Sequence, residues 1–205
     1  MRSKAILLTL SAGILMFVSA PAASAQSQPG GANQSQNAGQ RKDNQQDRIA
    51  QGVQSGQLTA GETKNLETKE AGINKEEHTM RSEDDGHLTA ADRSKLNRQQ
   101  NRLSNQVYED KHNANTAQYG NNEVGQRREN QQDRIAQGIR SGQLRPGETA
   151  RLEGQQQSIN RQVAADRQAN GGRLTGSERT TINRRQNRAS GNIYAKKHNG
   201  ARMRS

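Results

Sequence analysis

Apolar residues along this chain are sparse, and they fall at helical spacing. Leu66, Ile73 and Met80 recur every seven residues; Leu96, Leu103 and Val107 make a second stripe, and Ile49 with Val53 share one side of a third segment. Such spacing predicts three helices, over about 41–54, 60–83 and 90–112, each with one narrow apolar seam. The breaks between them carry their own signals. Gly56 and Gly86 stand where a helix would end in the left-handed conformation that glycine adopts at little cost. Thr59-x-x-Glu62 and Thr89-x-x-Asp92 then have the form of capping boxes, which satisfy the free amides of the helix that follows.

The whole pattern occurs twice. Residues 40–114 align without gaps on 126–200, at an offset of 86, with 37 of 75 positions identical. The string Asn-Gln-Gln-Asp-Arg-Ile-Ala-Gln-Gly at 44–52 returns at 130–138. Ser55-Gly56-Gln57-Leu58 returns at 141–144, and Tyr108-x-x-Lys111-His112-Asn113 as Tyr194-x-x-Lys197-His198-Asn199. Within each copy a weaker echo at an offset of 30 joins Gly56-x-Leu58-Thr59 to Gly86-x-Leu88-Thr89. In the second copy Thr175-x-x-Glu178 keeps the box, and Pro146 replaces Ala60 at a first helical position, where a missing N–H does no harm. The predicted fold is all-α: two tandem three-helix units, short-long-long, at 40–114 and 126–200. Polar segments 26–39 and 115–125 read as flexible linkers and 201–205 as a basic tail. With seams this thin, each unit is expected to need elongated hairpins, oligomerisation into a homo-oligomer, or a stabilising partner.

Ahead of the repeats, residues 1–25 read as a secretory signal peptide. Arg2 and Lys4 precede an uncharged run at 5–18, and Ala23-Ser24-Ala25 is a small-x-small cleavage site. That run is short of the ~20 residues a transmembrane helix needs, and no later segment is apolar enough to span a bilayer. A soluble protein exported to a bacterial periplasm or the medium is expected. Cysteine is absent, which excludes disulfides, thiolate metal sites and a lipidated cysteine at the junction.

Charge separates the copies. Residues 40–114 carry 12 Lys/Arg against 13 Asp/Glu, and residues 126–200 carry 15 against 6. The excess on the second unit and its tail suggests an anionic partner, an envelope surface or polymer, met by Arg161, Arg167, Arg184, Arg185, Arg188, Lys196, Lys197, Arg202 and Arg204. A solvated basic face that only keeps the protein soluble is the plainer alternative. Three tyrosines are the only aromatics after the leader, too few for base stacking, so sequence-specific nucleic-acid reading is not expected.

Chemistry is otherwise thin. Gly-x-Leu-Thr-x-x-Glu resembles the second half of an EF-hand loop, but the leading oxygen ligands fail in three of the four places it occurs. Only Glu83, Asp84, Asp85 and Asp92 could gather around Ca²⁺, short of the six to eight oxygens it takes. Calcium binding is therefore not expected, nor any other cofactor. The Tyr-x-x-Lys-His ending puts a tyrosine toward the seam and Lys and His at the negative helix end. No phosphate loop, nucleophile elbow or zinc motif occurs, and no enzyme is expected.

The string Gln46-Asp47-Arg48-Ile49-Ala50-Gln51-Gly52, with Ser55-Gly56-Gln57-Leu58 and the Tyr-x-x-Lys-His-Asn ending, resembles uncharacterised exported bacterial proteins carrying one or more such units. The resemblance covers both copies and implies helices and export. It brings no activity and no binding residues. The function expected is that of a non-enzymatic interaction or structural protein, with a degenerate EF-hand-like metal binder or a purely structural, stress-related periplasmic protein as alternatives.

Overall fold

The computed structural model describes residues 32–202, so the expected signal peptide at 1–25 and Arg204 in the tail lie outside the described residues. Six helices follow one another: α1 (Ala32–Gln54), α2 (Ala60–Glu83), α3 (Ala90–His112), α4 (Glu123–Arg140), α5 (Pro146–Ala169) and α6 (Gly176–Lys197). The described residues contain no strand, and the fold is all-α as expected. No helix among them is long and apolar enough to cross a membrane.

The helix ends follow the local chemistry. Gly56, Gly86, Gly142 and Gly172 have φ of 72°, 87°, 64° and 89°. The Thr59, Thr89 and Thr175 hydroxyls accept the backbone N–H three residues on, and the carboxylates of Glu62, Asp92 and Glu178 accept the threonine N–H in return. At the start of α5, Arg145 replaces threonine and half the box is gone: only its N–H reaches Glu148 Oε2, at 3.3 Å. The first helix departs from expectation. α1 has 23 residues and starts at Ala32, within the segment 26–39 that composition marks as linker. Its Ala and Gln residues favour a helix while the interspersed Asn, Ser and Gly do not, so composition alone cannot separate a polar helix from a polar linker. α4 likewise starts inside 115–125, where the Asn122 side chain accepts the Gly125 N–H at 3.1 Å.

The two units pack on each other about a pseudo-twofold axis. α1 lies against α4 and α2 against α5, while α3 and α6 cover the outside, each on its own unit. Equivalent residues meet across the axis: Arg140 donates to Gln54 Oε1 at 2.8 Å, and these positions are 86 apart. Contacts are also reciprocal. Gly61 lies beside the Gln157 amide, and Gly147, the partner of Gly61, lies beside Ala71, the partner of Gln157. A Cβ on Gly61 would stand 2.5 Å from Gln157 Nε2, at the free end of a flexible side chain, while one on Gly147 would stand 3.9 Å from the Ala71 Cβ, so α2 and α5 run antiparallel in close contact. Such self-complementarity is that of an isologous dimer, here within one chain.

One hydrophobic core therefore spans both units, joining Ile49, Leu58 and Leu66 to Ile135, Leu144 and Leu152. Each thin seam finds its partner in the other copy. A smaller cluster of Val124, Ile159, Val163, Ile182 and Ala189 closes the far end of the second unit. The shared strings are its scaffold. Gln45 and Gln131 donate to the carbonyls of Gln100 and Gln186, at 2.8 and 2.7 Å. Arg48 reaches the Ser104 carbonyl at 3.1 Å and Arg134 the Ser190 carbonyl at 3.3 Å. Asn113 and Asn199 tie the ends of α3 and α6 to Glu62 and Glu148, at 2.8 and 2.7 Å. Tyr108 and Tyr194 correct the expectation that they pack on the seam. They are 59% and 60% exposed and stack on His112 and His198, whose Nδ1 atoms meet the tyrosine carbonyls.

At the axis sit two carboxyls, Glu67 and Glu153, both fully buried. Gln46 donates to Glu67 at 3.4 Å and Gln132 to Glu153 at 3.0 Å, and the remaining oxygen of each has no partner. Burial pushes Glu153 up to about 8, against the pull of the Gln132 hydrogen bond. Burial, then Glu70 and Glu153, push Glu67 well above the carboxylate range. Both are best accommodated as neutral acids, since a bare buried charge is costly.

Candidate anion-binding surface

The duplication supplies two pairs of matched cavities, and each pair differs in charge. The first pair lies on the outside. In the second unit a groove of about 380 Å³ between α5 and α6 is lined by Arg151, Arg185 and Arg188 and by no acidic residue. Arg185 donates to Ser158 Oγ at 2.7 Å and Gln162 Oε1 at 3.3 Å, both neutral acceptors. The matching groove of the first unit, about 450 Å³, contains Lys69, Arg102 and Glu76. There Glu76 pairs with Lys95 at 2.5 Å and accepts from Gln99 at 2.7 Å. Those two hydrogen-bonded groups hold the Glu76 carboxyl below its usual range. Position by position, Asn65 becomes Arg151, Glu76 becomes Gln162 and Gln99 becomes Arg185.

The second pair lies at the junction of the units. One cleft, about 400 Å³, is formed by the start of α2, residues 116–119 and the second half of α5. Arg128, Arg161 and Arg167 line it, again with no acidic residue. Its counterpart, about 700 Å³, is lined by Lys42, Arg81, Glu77 and Arg202 among others. Here Lys42 and Arg81 are Arg128 and Arg167 of the other copy. Glu77 forms ion pairs with both, at 3.0 Å from Arg81. Burial raises the Glu77 pKa, but the two cations outweigh it and hold the carboxyl low. The residue matching Glu77 is Val163, which is 2% exposed and belongs to the apolar cluster.

Of the nine residues expected to bind polyanion, the eight described ones are divided among different cavities and partners. Arg161 and Arg167 share the junction cleft, and Arg185 and Arg188 share the outer groove. Arg184 is exposed on α6 outside both. Lys196 is paired with Glu148 at 3.6 Å, and Lys197 donates to Gln137 at 2.9 Å. Arg202 lines the first-unit cleft. Two lining arginines, Arg128 and Arg151, were not among the expected residues. Aligning the copies marks Arg151, which stands opposite Asn65, but not Arg128, whose counterpart Lys42 is a cation as well.

Of the acidic set, only Asp84 and Asp92 come close to each other. Asp92 is engaged in the cap of α3, accepting the Thr89 N–H at 3.0 Å, while Glu83, Asp84 and Asp85 are exposed at the end of α2. Among the described residues no three carboxylate or imidazole groups converge as metal ligands. No protein-family model, no curated protein and no solved structure matches the chain.

Proposed function

We propose that this is an exported, non-enzymatic helical protein whose second unit binds anionic polymers of an envelope or extracellular surface, with low specificity. The observation that carries this reading is the outer groove of that unit. Arg151, Arg185 and Arg188 stand there without a carboxylate, where the matched groove holds Glu76. Guanidinium forks on an open, uncompensated groove suit repeated anionic groups, and the paucity of stacking aromatics argues against base recognition. Export rests on the leader at 1–25, and recovery of a periplasmic form beginning at Gln26 is its check.

The test uses the whole chain, because the units share a core. Heparin binding is measured across a salt series for the parent, for R151Q/R185Q/R188Q, and for K69Q/R102Q in the first unit. The slope of log affinity against log salt should fall by about 0.7–0.9 per arginine that touches the polymer. The triple variant is expected to lose that slope and the first-unit variant to keep it. Equal slopes in all three proteins would remove the reading.

A further inference from the structure

The junction cleft is a different kind of place from the outer groove. Arg128 is 5% exposed, so its guanidinium is held within the protein and not in solvent. Its hydrogen bonds go only to neutral oxygens: Asn160 Oδ1 at 3.0 Å, the Gln118 carbonyl at 3.3 Å and the Tyr119 carbonyl at 2.6 Å. Nε has no partner. Tyr119 adds its ring face, 5.7 Å from the guanidinium carbon. Among the described residues no carboxylate lies within ion-pair distance of Arg128, Arg161 or Arg167. A cation this buried ordinarily has a counter-ion, because the interior disfavours an isolated charge.

The matched cleft shows what the counter-ion looks like when the protein supplies it. There Glu77 reaches from α2 between Lys42 and Arg81. In the second copy both cations remain, as Arg128 and Arg167, Arg161 keeps the charge of Lys75, and the carboxylate has become Val163. Burial and the nearby Arg167 together depress the Arg128 pKa, which records two like charges facing one space. The first residues of α2, Ala60 and Gly61, turn the positive end of that helix toward the same cleft.

We propose that the junction cleft is a discrete site for one compact, doubly charged oxyanion, a sulfate or phosphate group, which takes the place of the Glu77 carboxylate. Three guanidiniums around one cleft match a tetrahedral dianion better than a carboxylate, since its two charges and four oxygens offer more than the single charge and two oxygens of a carboxylate. The group is either a free inorganic ion or the pendant group of a larger molecule. The site stands apart from the polymer reading, because its residues are not those of the outer groove.

Thermal unfolding of the full chain is followed in sodium sulfate, sodium phosphate and sodium chloride at matched ionic strength, and sulfate affinity is measured by calorimetry. The melting temperature should rise with sulfate or phosphate beyond the chloride curve, following the occupancy of one site. R167Q removes a half-buried fork and should weaken sulfate about tenfold. V163E installs the carboxylate of the other copy and should abolish the oxyanion effect; since Val163 is buried, R161Q and R167Q stand as the milder variants. R151Q/R185Q/R188Q should keep the sulfate effect intact, so a failed polymer reading and a failed oxyanion site give different results. Heparin competing one-for-one with sulfate identifies a pendant group as the source, and sulfate binding undisturbed by heparin identifies the free ion. Oxyanion and chloride curves that coincide would overturn the site, as would a sulfate effect unchanged in R161Q, R167Q and V163E.

Discussion

The two junction clefts are the same construction with one difference in content. Both place two cations on neighbouring helices beside the start of a helix from the other unit. In the first copy Glu77 closes the charge from inside, and in the second Val163 turns the same position over to the apolar cluster. What the copies share, the Gln45/Gln131 and Asn113/Asn199 bonds and the caps, explains why they fold alike. What they do not share lies on cavity walls. Identity between duplicates thus locates the scaffold, and the sites are sought among the differences.

The largest effect expected concerns the feature the copies share most closely, the carboxyls at the axis. Glu67 and Glu153 are neutral in the folded state and ionise once unfolded, so folding takes up protons above the ordinary carboxylate value. Their contribution is fully present below about pH 4.5, the unfolded value, and is lost as pH rises toward the folded value, about 8 for Glu153. Stability should fall by about 1.4 kcal/mol per pH unit for Glu153 across that window, and Glu67, raised by burial and by Glu70 and Glu153, adds to the fall in the same direction. Glu70 adds to the fall from one copy only: it is raised to about 7, chiefly by burial, and faces Gln156 in the alignment. Denaturant titrations from pH 5 to 8.5 should show the trend, E67Q/E153Q should flatten most of it, and E70Q should remove the remaining contribution of the first copy.

Breaking the comparison at its key residue comes next. E77V makes the first cleft resemble the second and strands Lys42, which is 8% exposed, without its partner. Removing one member of a nearly buried ion pair costs on the order of 3 kcal/mol. Urea unfolding of this variant should show that loss, with sulfate recovering part of it if the rebuilt cleft accepts an oxyanion. The smallest effect sharpens the comparison at a helix end. R145T restores the hydroxyl that Thr59 provides in the first copy and should raise stability by about 1 kcal/mol, read as a shifted urea midpoint at unchanged slope.

Much of this was legible before any coordinates. The duplication, the six helices, their glycine stops and their threonine caps are local chemistry, and local chemistry is written in short strings. The pairing of the units was not. The seams on α1 and α2 face the other unit as well as their own, and a periodic stripe does not say which neighbour it meets. Glu67 looks like an ordinary solvated position on a polar helix, and only the axis makes it buried. Arg128 was hidden for a similar reason. Summing charge over each unit found the asymmetry but could not tell a surface arginine from one enclosed behind residues 116–119. The tyrosines of the closing motif went the other way, since an aromatic on a thin seam is expected inside and these are outside.

The twofold packing of unlike halves also has an evolutionary reach. In a dimer of identical chains every substitution appears in both clefts at once, so Glu77 would be present twice or missing twice. Joining the halves in one polypeptide lets a mutation be heard on one side only. One cleft can stay sealed as a structural ion pair while the other drifts toward a ligand, and the shared core keeps the sealed half as a permanent brace for the experiment conducted in the open one.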